Sequence, residues 1–175
     1  FAADYFGVTP DIIVLGKALG AGLPLAGIII SDKLKGFDPD TEELHTFAHP
    51  TLSMVTAAKL IALLEDGVLA NCRKMGKYLG EHLKAMMKKY PEMGEVRQAG
   101  LHIGVEFVKD PKSKKPLDKE TVAMRDAGLK NGVIFGLGGV RKNVLKMKPP
   151  LIVNQKECDE ILEKLEKSMD AVLRP

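Results

Sequence analysis

The stretch Pro10-Asp11-Ile12-Ile13-Val14-Leu15-Gly16-Lys17-Ala18-Leu19-Gly20-Ala21-Gly22-Leu23-Pro24 decides how this chain is read. Ile12 to Leu15 is a short continuous apolar run, with a turn signal before it and Gly16 after it, the pattern of a strand buried on both faces. Leu25 to Ile30 predicts a second buried strand, and Ser31 is placed to cap a short helix starting at Asp32. Lys17 stands at the end of the first strand, among glycines that let the backbone turn tightly or approach a ligand closely. An amine must be neutral to form an imine. Burial favours the neutral form and a strand end fixes the amine's position, so Lys17 is the leading candidate for covalent chemistry with a carbonyl ligand. On chemistry alone, a solvated lysine at a strand terminus is the commoner arrangement.

Working outward, Pro50 precedes an apolar pattern (Leu52, Val55, Ala58, Leu60, Ile61, Leu64) with helical spacing. Gly67 interrupts that helix, and a second one is predicted from Val68 to Tyr90, with Leu69, Met75, Leu79, Leu83 and Met86 on one side and lysines on the other. Pro91 and Gly94 end it. Leu101 to Val108 alternates with period two, as a half-solvated strand does. A lysine-rich turn (Asp110 to Pro116) follows, then an amphipathic helix (Lys119 to Asn131) and a strand (Val133 to Phe135). After these come a glycine-rich loop (Gly136 to Gly139), a strand (Val144 to Met147) and a last helix over Cys158 to Leu173, with Asn154 as its cap.

Composition narrows the function classes. The chain has 26 Lys+Arg against 23 Asp+Glu, a net charge of +3 spread along its length, so no electrostatic footprint for nucleic acid is present. Cys72 and Cys158 are far apart, with no CxxC or Cys/His spacing, which fits a reduced compartment and no structural zinc. The apolar run Leu23 to Ile30 is far shorter than the roughly 20 residues of a membrane span. The chain begins without Met or a signal-peptide pattern, and is expected to be cut from something longer.

Thr46 lies in a polar loop just before a helix, where a hydroxyl beside free helix N-terminal N–H groups suits a phosphate or a plain cap. His45 and His49 are placed as loop residues rather than metal ligands, because Pro50 keeps them off one helix face and no third ligand is near. Arg141 and Lys146 flank the final strand, a placement suited to a fork that clamps a substrate carboxylate.

Together these pieces resemble the class III (omega-amino acid) aminotransferases, a pyridoxal-phosphate (PLP) dependent family of fold type I. Phe1 to Ala26 is similar, nearly position for position, to the family's segment around the Schiff-base lysine, and that role falls on Lys17. Thr46-Phe47-Ala48-His49-Pro50 resembles the family's threonine loop, whose threonine reaches the cofactor phosphate of the other subunit; the loop here is one residue shorter. Val96 to Glu106 looks like the first strand of the small domain and Val144 to Leu151 like its last, with Lys146 where many members have arginine.

The resemblance implies an α/β fold, the C-terminal part of a fold type I PLP-dependent transferase. Residues 1–49 would be the end of the PLP-binding large domain, 50–90 a helical connector and 91–175 the small C-terminal α+β domain. It implies pyridoxal 5'-phosphate as cofactor, a small-molecule amino donor and a keto-acid acceptor, a homodimer with shared active sites, no nucleic acid or membrane partner, and a cytoplasmic location unless an upstream targeting peptide directs otherwise. The mechanism implied is ping-pong amino transfer, with Lys17 as covalent tether and then general acid/base, and Arg141 as a substrate contact. The glycine-rich phosphate loop, the aromatic that stacks on the pyridine ring and the aspartate that pairs with its nitrogen are expected upstream, so the chain alone is expected to have little or no transaminase activity. Two other readings stay open: a PLP-dependent lyase of the same family, which the stretch Asn143 to Pro150 also resembles, and a non-catalytic folding or dimerisation fragment.

Overall fold

A computed structural model describes residues 1–35, 48 and 50–174. The chain divides into two compact units, Phe1–Asp66 and Gly67–Pro175.

In the first unit, helix α1 (Ala2–Phe6) ends on Gly7, whose φ of 64° suits a residue without a Cβ. Strands β1 (Ile12–Leu15) and β2 (Gly27–Ile30) pair antiparallel from Ile12↔Ile30 to Leu15↔Gly27 and enclose a 3-10 turn, Lys17–Gly20. Helix α2 (Thr51–Leu63) follows, beginning where Pro50 predicts it. The two strands stand where the apolar runs place them, but they are not buried on both faces. Val14 is 77% exposed, and Ile12, Ile28 and Ile29 are about half exposed. Among the described residues they form a ribbon of two strands with no layer over it, so the apolar run marks a surface to be covered without this unit covering it. Ser31 caps no helix. Its carbonyl accepts the Leu34 N–H at 2.9 Å, closing a single turn through Asp32 and Lys33.

In the second unit, a π-helical turn (Leu64–Val68) that begins in the first leads into α3 (Leu69–Met86). A fully antiparallel sheet follows, in the order β3-β4-β6-β5, from β3 (Met93–Ala99), β4 (His102–Phe107), β5 (Gly136–Gly138) and β6 (Val144–Met147). Helix α4 (Asp118–Lys130) joins β4 to β5, and α5 (Gln155–Leu173) closes the chain. The period-two reading of β4 holds: Ile103, Val105 and Phe107 are fully buried while His102, Gly104 and Glu106 face away from the core. Leu79 and Leu83 of α3, Met124 of α4, and Cys158, Leu165 and Met169 of α5 meet those side chains in one cluster. Each fully buried leucine contributes about 1.5–3 kcal/mol.

Two expectations are corrected. The segment from Val96 to Glu106 is a hairpin rather than one strand, because Gly100, at φ 55°, reverses the chain between β3 and β4. The strand before β6 is Gly136–Gly138, and Val133 to Phe135 lies in no strand. The glycines that suggest a loop serve a strand here for a steric reason: a Cβ at Gly138 would lie 2.9 Å from Lys146 Cδ, and one at Gly136 3.2 Å from its Cε. The aliphatic stem of Lys146 lies across them.

Helix α5 is fixed at both ends. Asn154 and Glu157 form the capping box expected of them, with Glu157 N–H donating to Asn154 Oδ1 at 3.0 Å and Asn154 N–H to Glu157 Oε2 at 2.8 Å. Near its other end the buried Tyr90 hydroxyl donates to Asp170 at 2.7 Å, and Lys89 pairs with Glu166 at 2.8 Å. Burial first, and then the bond to Asp170, push the Tyr90 hydroxyl up to about 12, so it remains a donor through the neutral range.

Helix α3 lies against the β3–β4 hairpin through two glycines. A Cβ at Gly76 would lie 2.5 Å from the Gly100 carbonyl oxygen, while one at Gly80 would strike the Gln98 side chain, whose amide donates to the Gly76 carbonyl at 2.9 Å. Alanine at either position gains helix propensity of about 1 kcal/mol and loses more to overpacking, about 1–3 kcal/mol. Gly76→Ala is expected to lower the urea midpoint more than Gly80→Ala, since backbone yields less than a glutamine side chain. Equal or raised midpoints would contradict this packing.

Candidate active site

Lys17 is built into place by its neighbours. Gly16 is extended, with φ −178°, and carries β1 into the turn. Lys17 then adopts φ 53°, in the left-handed region that a Cβ disfavours by roughly 1–2 kcal/mol. Leu19 N–H donates to the Gly16 carbonyl at 3.2 Å, Ala21 N–H to that of Ala18 at 3.0 Å, and Leu23 N–H to that of Gly20 at 3.0 Å. Ala21 (φ 52°) and Gly22 (φ 99°) repeat the left-handed backbone, so three residues in this short segment share it.

The turn is held from α2. The Thr56 hydroxyl proton is shared between the carbonyls of Ser53, at 2.9 Å, and Gly20, at 3.1 Å. Gly20 is buried, and a Cβ there would come within 3.2 Å of the Leu25 Cβ. A backbone conformation that most residues avoid, kept by hydrogen bonds and close packing around it, is characteristic of functional positions. Among the described residues the Lys17 side chain is exposed.

Thr46, with His45 and His49, lies outside the described residues. Arg141 is exposed in the turn joining β5 to β6. That turn is anchored by Asn143, a buried residue whose side-chain amide donates to the Phe107 carbonyl at 3.0 Å and to Glu106 Oε1 at 3.2 Å. Glu106 also accepts from Arg97 at 3.0 Å, and Arg97 pairs with Glu95 as well; these carboxylates hold the guanidinium above its ordinary range, Glu106 most strongly. Neither Thr56 nor Asn143 is marked by the sequence pattern, because each acts by reaching a carbonyl distant along the chain. Among the described residues no group of three or more His, Cys, Asp or Glu is placed to hold a metal, and no helix is long and apolar enough to cross a membrane.

The described residues thus place the Lys17 primary amine at the end of β1, on a left-handed turn. The chain belongs to the class III aminotransferase family, whose model matches residues 1–169. It is 33% identical to a diaminobutyrate–2-oxoglutarate aminotransferase of Haemophilus influenzae, over 99% of this chain and 40% of that protein. It is 32% identical to a leucine/methionine racemase of Thermococcus litoralis, over 97% of this chain and 38% of that protein. Among solved structures it is similar to a Bacillus anthracis aminotransferase, with TM-score 0.88 and 27% identity over 98% of this chain and 41% of that one. The chain therefore spans about 40% of the length of the relatives it matches. The α/β fold is that of the C-terminal portion of a fold type I enzyme, as the sequence implies.

Pyridoxal 5'-phosphate is the cofactor of this family. The residues present fit it: an aldehyde-bearing cofactor calls for a primary amine, and Lys17 carries one on a turn whose backbone is held by hydrogen bonds.

If function keeps Lys17 in its left-handed backbone, glycine there should relieve the strain. Lys17→Gly is expected to stabilise the fold by up to about 1 kcal/mol in urea unfolding, while Lys17→Ala, which keeps a Cβ, is not. A destabilised Lys17→Gly variant would contradict the strain argument.

Proposed function

We propose that this chain forms the lysine-bearing part of a PLP-dependent aminotransferase that moves an amino group from an amino acid or omega-amino compound to a keto acid. The observation that most supports this is the backbone of Lys17, held at φ 53° at the end of β1 by the turn around it and by Thr56.

Lys17 would hold the cofactor covalently through Nζ. When bound, the cofactor supplies an electron sink for the bond changes at the substrate carbon. Lys17 Nζ would also be the group that takes a proton from the amine-bearing carbon of the substrate and later gives it up, as general base and then general acid. The fixed turn limits the positions Nζ can reach, which supplies orientation to that proton transfer. The Thr46 hydroxyl would bind the cofactor phosphate of the other subunit in a homodimer with shared sites. Arg141 would clamp a substrate carboxylate by charge-assisted hydrogen bonds. On this reading residues 1–49 complete the large domain, 50–90 connect, 91–175 form the small domain, and the enzyme works in the cytoplasm.

The likeness to a leucine/methionine racemase supports a second reading, in which the same lysine returns the proton to the opposite face and no keto acid is consumed. Product analysis of the whole enzyme separates the two: keto-acid-dependent amino transfer supports the first, loss of optical activity without an acceptor supports the second, and ammonia release without an acceptor points to a lyase.

Incubation with PLP, borohydride reduction and peptide mapping should place the cofactor mass on the Lys17 peptide and lose it in Lys17→Ala. An unchanged absorbance spectrum in Lys17→Ala, with no adduct on Lys17, would overturn the enzyme reading. In the whole enzyme Arg141→Ala is expected to raise KM for an acidic substrate roughly tenfold or more with little change in kcat, the size of a lost charge-assisted bond. An unchanged KM removes Arg141 from the site.

A further inference from the structure

The turn that carries Arg141, residues 139–142, has a left-handed residue at each end, Gly139 at φ 77° and Lys142 at φ 56°, and closes through the Lys142 N–H on the Gly139 carbonyl at 3.1 Å. Asn143, the next residue, is buried and binds Phe107 of β4 at both of its backbone groups. The Phe107 N–H donates to the Asn143 carbonyl at 2.7 Å, and the Asn143 side-chain amide donates to the Phe107 carbonyl at 3.0 Å. Phe107 is itself fully buried in the core, so two bonds to it fix the direction of the turn as well as its place.

The same Asn143 amide nitrogen donates to Glu106 Oε1 at 3.2 Å, and Glu106 Oε2 accepts from Arg97 at 3.0 Å, with Glu95 on the same guanidinium. The two oxygens of Glu106 thus meet two donors, one on β3 and one just before β6. A carboxylate suits this place because it only accepts; an amide of the same shape offers one acceptor and one donor, and must turn its donor towards Asn143 or Arg97. A network in which every member is satisfied holds its parts more firmly than one bond alone.

We propose that Asn143 and Glu106 are positioning residues: through the turn they set where the Arg141 guanidinium stands for the carboxylate of an acidic substrate, without touching that substrate. This role rests on the reading of Arg141 as the carboxylate clamp, and adds the groups that aim it.

In the whole enzyme, Asn143→Ala and Glu106→Gln are each expected to raise KM for an acidic substrate about three- to tenfold, the size of a lost hydrogen bond, with kcat within about twofold. Neither should raise it further once Arg141 is alanine, and neither should change KM for an amine that lacks a carboxylate. Hydrogen exchange reads the turn without any substrate: the Lys142 amide should exchange at least about fivefold faster in Asn143→Ala, while Leu79 and Leu83 stay protected. If Arg141→Ala raises KM and neither variant does, if the effects multiply with that of Arg141→Ala, or if the carboxylate-free amine is affected equally, the positioning role is overturned while the clamp stands. If Arg141→Ala leaves KM unchanged, the clamp itself falls and the positioning role with it. Should Asn143→Ala unfold, shown by lost protection at Leu79 and Leu83, Glu106→Gln decides on the same criteria.

Discussion

The left-handed backbone at Lys17 is the constraint around which the first unit is arranged. A lysine at φ 53° is disfavoured by its own Cβ, and the conformation persists because its surroundings leave the chain little choice. β1 fixes where the chain arrives, and the pairing of Leu15 with Gly27 fixes where β2 leaves. The buried Gly20 lets the turn close against Leu25, and Thr56 ties the Gly20 carbonyl to α2. Each of these features is ordinary; their sum is an amine whose base cannot wander. On the proposed reading, a held backbone suits a residue that would first hold a cofactor and then move a proton within its site.

The second unit meets a different demand, that of a stable support. Its sheet buries one face against three helices, while the other carries His102, Gly104, Glu106 and Lys146 together with Val144. Glycines recur where two elements come closer than a Cβ allows: Gly76 and Gly80 on α3 against the β3–β4 hairpin, and Gly136 and Gly138 under the stem of Lys146. The Tyr90 hydroxyl and the Asn154 capping box then fix α5 near its two ends. The turn bearing Arg141 is held in the same manner, by the buried Asn143 amide.

Much of this was legible in one dimension, and the exceptions have physical causes. Strand β4, helix α5 and its cap followed from spacing, because the periodicity of one buried face is written directly into residue order. Gly136 to Gly139 misled because glycine signals both a loop and a close approach, and only the position of Lys146 in space tells them apart. β3 was hidden because Gly94 and Pro91 read as stops, while pairing with β4 overrides local preference. The place of Lys17 just after β1 was readable, but the bond from Thr56 was not, since it reaches a carbonyl of another element. The burial expected of β1 and β2 was a correct reading of their composition, but no layer covers them among the described residues.

The central claim is that Lys17 is the cofactor lysine and that its backbone conformation serves that role. A high-resolution structure of the intact enzyme prepared with pyridoxal 5'-phosphate tests both at once. The account predicts continuous density from Lys17 Nζ into the cofactor, with Lys17 still at positive φ and the Thr56 hydroxyl still on the Gly20 carbonyl. Density running to a different lysine, or a Lys17 relaxed into ordinary backbone while attached, would contradict it.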